Sequence, residues 1–105
     1  MYIGFINKKV RKVCETHTVA VKKFGIRNAD LLVQRLMEMK SADNLQVLRS
    51  IPALKCHPLI GDRKGQYAVD MVQPKRLIFL PTTEEGKIVE SLVTEVTVIE
   101  IVDYH

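Results

Sequence analysis

Tyr67-Ala68-Val69-Asp70-Met71-Val72-Gln73-Pro74-Lys75-Arg76-Leu77-Ile78-Phe79-Leu80 is the stretch in which the spacing of apolar residues changes from helical to alternating. Tyr67, Val69 and Met71 face one way, with Ala68 and Asp70 between them, as in a half-buried strand. Val72 to Lys75 contains Pro74 and reads as a hairpin turn, and Arg76 to Leu80 reads as the returning strand. Downstream, Glu95 to Tyr104 is rich in Val and Ile and predicts the central or longest strand.

Upstream of the change, Tyr2 to Ile6 predicts a short opening strand, and Asn7 is placed to cap a basic helix over Lys8 to Glu15, with Val10, Val13 and Cys14 at helical spacing. Ala29, Leu32, Val33, Leu36 and Met37 recur at three and four residues and predict a helix over 29–40. Asn28 is its expected N-cap, and Met37 and Met39 are core filler and flank. Asp43 and Gln46 have capping-box spacing for a short helix through Arg49, which Ile51-Pro52 ends. Pro81 to Gly86 breaks the pattern, and Lys87 to Val93 fits either a strand extension or a loop. The order predicts an α+β fold, with an N-terminal strand and two to three helices packed on one face of a mainly antiparallel sheet.

With 105 residues, 47% hydrophobic and 27% charged, the chain suits one domain over residues 1–105, and its composition argues against disorder. Met1 to Asn7 lacks the basic start and long apolar run of a signal peptide, and no segment suits a membrane span, so a cytoplasmic protein is expected. Cys14 and Cys56 make no disulfide framework, and Cys56-His57 has no second ligand pair at zinc spacing. Both cysteines are expected as reduced core or near-core thiols; no metal or cofactor is called for.

The net charge of +4 hides an asymmetry. Residues 1–64 carry 13 Lys/Arg against five Asp/Glu, whereas residues 65–105 carry three against seven. A basic half fits an anionic partner as well as it fits a solvated helical surface. In His57-Pro58-Leu59-Ile60-Gly61-Asp62-Arg63-Lys64-Gly65, two glycines bracket Asp-Arg-Lys, which favours a tight turn projecting two cations. Such a turn fits a phosphate contact or a solvated hairpin tip. Arg76 opens an otherwise apolar strand, so its charge reaches solvent, a polar cleft or a cross-strand carboxylate. Asp103-Tyr104-His105 places three polar, proton-carrying side chains after a β-rich run; composition alone favours a disordered tail, and if the strand continues, alternation puts Asp103 and His105 on one face and Tyr104 on the other.

Metal-free RNA cleavage needs a group to deprotonate the 2′-hydroxyl, an acid for the departing 5′-oxygen, and cations around the pentavalent transition state. Each kind of group is present. His105 suits the acid or base near neutral pH, Tyr104 suits base stacking or proton relay, and Asp103 suits orienting His105. Arg76, Arg63 and Lys64 suit phosphate neutralisation.

His57 to Gly65, Arg76-Leu77-Ile78-Phe79 and Glu95-Val96 through Asp103-Tyr104-His105 occur in an order that resembles the HigB-type toxins of the RelE/ParE superfamily, the plasmid-maintenance killer proteins. The resemblance is good over residues 54–105, apart from a longer excursion around 82–93, and loose over 1–53. It implies a small RelE-like fold and a ribosome-dependent mRNA endonuclease acting in the ribosomal A site. It also implies silencing by a HigA-like helix-turn-helix antitoxin, through which alone the toxin would reach DNA. Carried across, the family's functional positions fall on His57, Arg76, Asp103, Tyr104 and His105, with Arg63 and Lys64 as RNA contacts. An antitoxin is expected to cover the basic groove of Arg63, Lys64 and Arg76. Two positions depart from the family pattern: Ile60 stands where members commonly have lysine, and Lys75 replaces the aromatic residue that often precedes the strand arginine. Lys64 or Lys55 is a candidate substitute for the missing cation, and alternation points Lys75 away from Arg76.

Overall fold

The computed structural model describes residues 1–103. β1 (Tyr2–Phe5) leads into four helices: α1 (Lys8–Glu15), α2 (His17–Phe24), α3 (Ile26–Ser41) and α4 (Leu45–Arg49). The remainder is β2 (His57–Pro58), β3 (Tyr67–Asp70), β4 (Lys75–Pro81) and β5 (Glu95–Asp103). The five strands form one sheet in the order β1-β5-β4-β3-β2. Among the described residues only the β1–β5 pair is parallel, and the four helices and β2–β4 all lie between those two strands in the chain. The expected α+β arrangement is therefore present, with β5 the longest strand and β4 in the centre.

Local chemistry accounts for the helix boundaries. The Asn7 side chain accepts a hydrogen bond from the Val10 amide at 2.9 Å, and the Asn44 side chain accepts one from the Val47 amide at 3.0 Å. The cap of α4 is thus Asn44, one residue beyond the expected Asp43. Helix α2 is not announced by the periodicity, because Thr18, Val19 and Val21 are β-branched and weak helix formers. Packing overrides propensity there, since the α2 residue Ala20 is buried in the same core as Ala29 and Leu32 of α3. Helix α3 starts at Ile26 rather than at residue 29, directly after Gly25, whose φ of +86° suits glycine. Its buried stripe is Ala29, Leu32, Leu36 and Met39, while Val33 and Met37 flank it in solvent.

Asn28 is consequently not a cap. It is buried within α3, and its side-chain oxygen accepts the Val72 amide at 2.9 Å. Two turns further on, buried Arg35 donates through Nε to the Asp70 carbonyl at 2.7 Å and through Nη1 to Glu38 at 2.9 Å. These two polar side chains clamp the turn between β3 and β4 onto α3, satisfying backbone groups that no strand partner reaches.

The helices cover one face of the sheet, where Tyr67, Val69, Leu77, Phe79, Val96 and Val98 join the main core. On the other face, Leu59, Ala68 and Ile78 form a small second core with Val102 packed against it. The loop 59–66 lies over that face, so Tyr67 to Asp70 are buried on both sides and not half-buried as alternation suggests. Residues 82–93 are a loop with one short 3-10 turn at Glu90–Leu92. Glu90 pins the loop to the body by accepting from the Tyr67 hydroxyl at 2.6 Å and from Arg49 at 2.8 Å. Burial, reinforced by that carboxylate, pushes the Tyr67 hydroxyl well above its ordinary range.

Cys14 and Cys56 are free and buried, as expected. Burial pushes each thiol up to about 12, with the Glu15 carboxylate adding to it at Cys14. At pH 8 on the order of one thiol in ten thousand is then ionised, so the folded protein should resist iodoacetamide at that pH and take up two adducts once unfolded in urea. Intact-mass spectrometry reads the difference. Because the folded state holds these protons more tightly than the unfolded state, their contribution to stability is complete below pH 9 and declines as pH rises towards 12.

Candidate functional site

The register fixes which side chains share a face. His57 lies opposite Ala68, Ala68 opposite Ile78, and Ile78 opposite Glu100, while the row two residues along contains Asp70, Arg76 and Val102. Residues opposite one another, or two apart, point the same way, so His57, Arg76 and Glu100 share the outer face, away from the helices. His57 and Arg76 are two strands and two residues apart, roughly 12 Å between Cα atoms. Lys75 lies opposite Asp103 and faces the helices, where its ammonium is 5.6 Å from the Phe24 ring centroid. Alternation thus turns Lys75 away from Arg76, as its place in the strand predicts, and turns Asp103 with it.

The partners of these cations decide what the outer face offers an anion. Arg76 Nε is 2.9 Å from Asp70 Oδ1, and Nη1 donates to Gln73 Oε1 at 2.9 Å and to the Lys75 carbonyl at 3.2 Å. The guanidinium is mostly buried, and its Nε–H is poorly directed at the carboxylate, so that buried donor has no hydrogen-bond acceptor among the described residues. A buried donor without an acceptor is costly. Arg63 does not project from its turn. It bonds Gln66 at 2.9 Å and the Glu100 carboxylate across the outer face. Of the two cations expected to project there, only Lys64 is exposed. Lys75 is ion-paired with Asp103.

The turn itself is built as its glycines require. Gly61 and Gly65 have φ of +64° and +94°, with a 3-10 turn over Gly61–Arg63 between them. Through Arg63 and Glu100 the segment 57–65 lies across β5, three residues before Asp103. The His57 ring is half-buried, and its Nδ1 is 2.8 Å from the Lys55 carbonyl oxygen. That oxygen can only accept, so Nδ1 carries the hydrogen and Nε2 of the neutral ring is the basic nitrogen. Ile60 is 83% exposed at the rim of a groove of about 710 Å³ lined by Leu59, Lys64, Tyr67, Gly86 and Ile88.

His57, Arg63, Lys64 and Arg76 therefore gather on or beside one face, while Asp103 is held on the other by Lys75. Tyr104 and His105 lie outside the described residues. Sequence reasoning missed the carboxylates Asp70 and Glu100. Each interrupts an apolar strand as Arg76 does, and that was the available signal.

The same fold occurs in a YoeB/ParE toxin from Agrobacterium tumefaciens. That protein and this chain superpose over the whole of both chains with a TM-score of 0.55 at 13% sequence identity. At such low identity the likeness is one of architecture. No family model and no curated protein sequence matches the chain.

Proposed function

We propose that the chain is the toxin of a toxin–antitoxin pair and cleaves mRNA in the ribosomal A site. The observation that supports this reading is a toxin-like fold in which His57, Arg76 and the turn carrying Lys64 lie on or beside the outer face of the sheet. In this reading the phosphate of the scissile bond pairs with the Arg76 guanidinium in competition with the Asp70 carboxylate, and Lys64 holds a neighbouring phosphate. His57 Nε2 and His105 are the groups that move protons. One accepts the 2′-hydroxyl proton as that oxygen attacks phosphorus, and the other protonates the departing 5′-oxygen, leaving a 2′,3′-cyclic phosphate and a 5′-hydroxyl. Tyr104 stacks on a base, and Asp103 anchors the strand end through Lys75.

The partner in this reading is a HigA-like helix-turn-helix antitoxin, and the setting is the cytoplasm. Among the described residues no helix is long and apolar enough to cross a membrane. Because Arg63 and Arg76 already have internal carboxylate partners, charge neutralisation by an antitoxin would bear mainly on Lys64.

Those same internal pairs favour a second reading, in which the chain inhibits DNA gyrase without cutting RNA, as ParE-type toxins do. A gyrase supercoiling assay separates the two: full inhibition with intact mRNA supports the second reading, and unaffected gyrase removes it. A third possibility, a toxin that has lost activity through Ile60 and retains only antitoxin binding, is tested by Ile60→Lys. That side chain is in solvent, so the change removes no packing. Cleavage by the wild type at the level of Ile60→Lys would exclude the loss.

A further inference from the structure

We infer that the helix side of the sheet carries a second RNA subsite, a groove between α1, α2 and β5 that holds the single-stranded segment flanking the scissile phosphate. This deepens the reading above and rests on it. The groove, of about 270 Å³, is lined by Asn7, Lys9, Lys23, Phe24, Ile99 and Ile101, among others. Residues 7–24 carry six Lys/Arg against one Glu, so the groove opens in the most basic part of the chain. Glu100 also contributes to its lining, but its carboxylate is bound by Arg63 on the outer face of the sheet.

Phe24 gives the groove a chemistry that a merely basic surface lacks. It is half-exposed, and two ammonium groups lie over its ring, Lys23 at 5.7 Å and Lys75, itself ion-paired with Asp103, at 5.6 Å from the centroid. A half-exposed aromatic ring with an exposed cation over it matches a nucleotide unit: the Lys23 ammonium moves from the ring to a phosphate, and the ring then stacks on a base of any identity. An acidic peptide would use the lysines and leave the ring without a partner, so single-stranded RNA is the better fit.

The groove also lies where an RNA strand leaving the outer face would arrive. Lys75 and Arg76 are consecutive, one facing the helices beside Phe24 and the other facing outward beside Asp70. A strand held at Arg76 crosses the end of β4, passes the Lys75–Asp103 pair, and runs into the groove, whose lining includes Ile99 and Ile101 of β5.

The test uses the full chain and a fluorescein-labelled 12-nucleotide oligouridine RNA, with binding followed by anisotropy across a salt series. The double variant Lys9→Ala/Lys23→Ala changes only exposed side chains and is expected to lower the slope of log affinity against log salt by about 1.4, since single strands lose about 0.7 per phosphate contact. Phe24→Leu keeps an apolar side chain against the core and is expected to weaken binding about fivefold or more while leaving that slope unchanged. If both variants bind like the wild type while Arg76→Ala loses affinity, the subsite is overturned and the outer-face reading stands. If the wild type binds no RNA even at low salt, the subsite and the RNA reading fall together. Loss of a fluorescent poly-glutamate peptide, but not of RNA, from Lys9→Ala/Lys23→Ala would also overturn the subsite and mark the groove as a protein-binding surface.

Discussion

Arg76→Ala is expected to reduce RNA cleavage by about 100- to 1,000-fold, the usual loss when one preorganised donor to a developing charge is removed. The size follows from how the guanidinium is held. It is mostly buried, Gln73 and the Lys75 carbonyl fix Nη1, and Nε is left with an ion-pair neighbour but no acceptor in line. Holding the donor before substrate arrives avoids reorganisation at the moment of reaction, and that advantage disappears with the side chain. Arg76→Lys should recover only part of the rate, because an ammonium retains the charge but not the planar fork. Asp70→Asn should act in the opposite sense on binding, raising RNA affinity severalfold by removing the carboxylate that competes with phosphate. It should also lower stability, because the partly buried guanidinium loses its counter-charge. Single-turnover cleavage of a defined RNA on programmed ribosomes reads the rates. A loss below about threefold for Arg76→Ala would remove the residue from the chemistry.

Phe79→Ala is expected to cost about 3–5 kcal/mol of folding stability, the usual range for a fully buried phenylalanine. Phe79 sits in the central strand and stacks on Tyr67 with ring centroids 5.8 Å apart, so the change removes the middle of the main core and a stacked aromatic pair together. Set against a typical total of about 5–15 kcal/mol, such a loss leaves little of the folded state at elevated temperature. Urea denaturation followed by circular dichroism measures it, and a change under about 1 kcal/mol would contradict the assignment of Phe79 to the core. Arg76→Ala should lower the urea midpoint too, because it leaves the buried Asp70 carboxylate without its counter-charge, so its cleavage is compared with the wild type under conditions where circular dichroism shows both folded.

The architecture was legible because its signals are local. Alternation from Tyr67 to Leu80 and the Val/Ile run after Glu95 mark strands, Asn7 marks a helix start, and the stripe through Ala29, Leu32 and Leu36 marks the buried face of α3. What was not legible depends on tertiary contacts. Helix α2 is specified by packing against α3 in spite of its β-branched residues, and Asn28 passes for a cap until the β3–β4 turn is brought against it. The candidate site divides in the same way. Which residues carry charge or a proton can be read from the chain, and strand alternation separates Lys75 from Arg76. The carboxylate that neutralises each arginine comes from another segment, Asp70 for Arg76 and Glu100 for Arg63, so the charge remaining for a ligand follows only from the folded arrangement.

The central claim is that this fold carries a ribosome-dependent RNA-cleaving site completed by His105. It is tested most directly by mapping mRNA 5′ ends in cells shortly after the wild-type chain or His105→Ala is induced from a tightly controlled promoter. The account predicts new 5′-hydroxyl ends within translated coding regions for the wild type and their loss in His105→Ala. Growth arrest by the wild type with no new mRNA ends would contradict it.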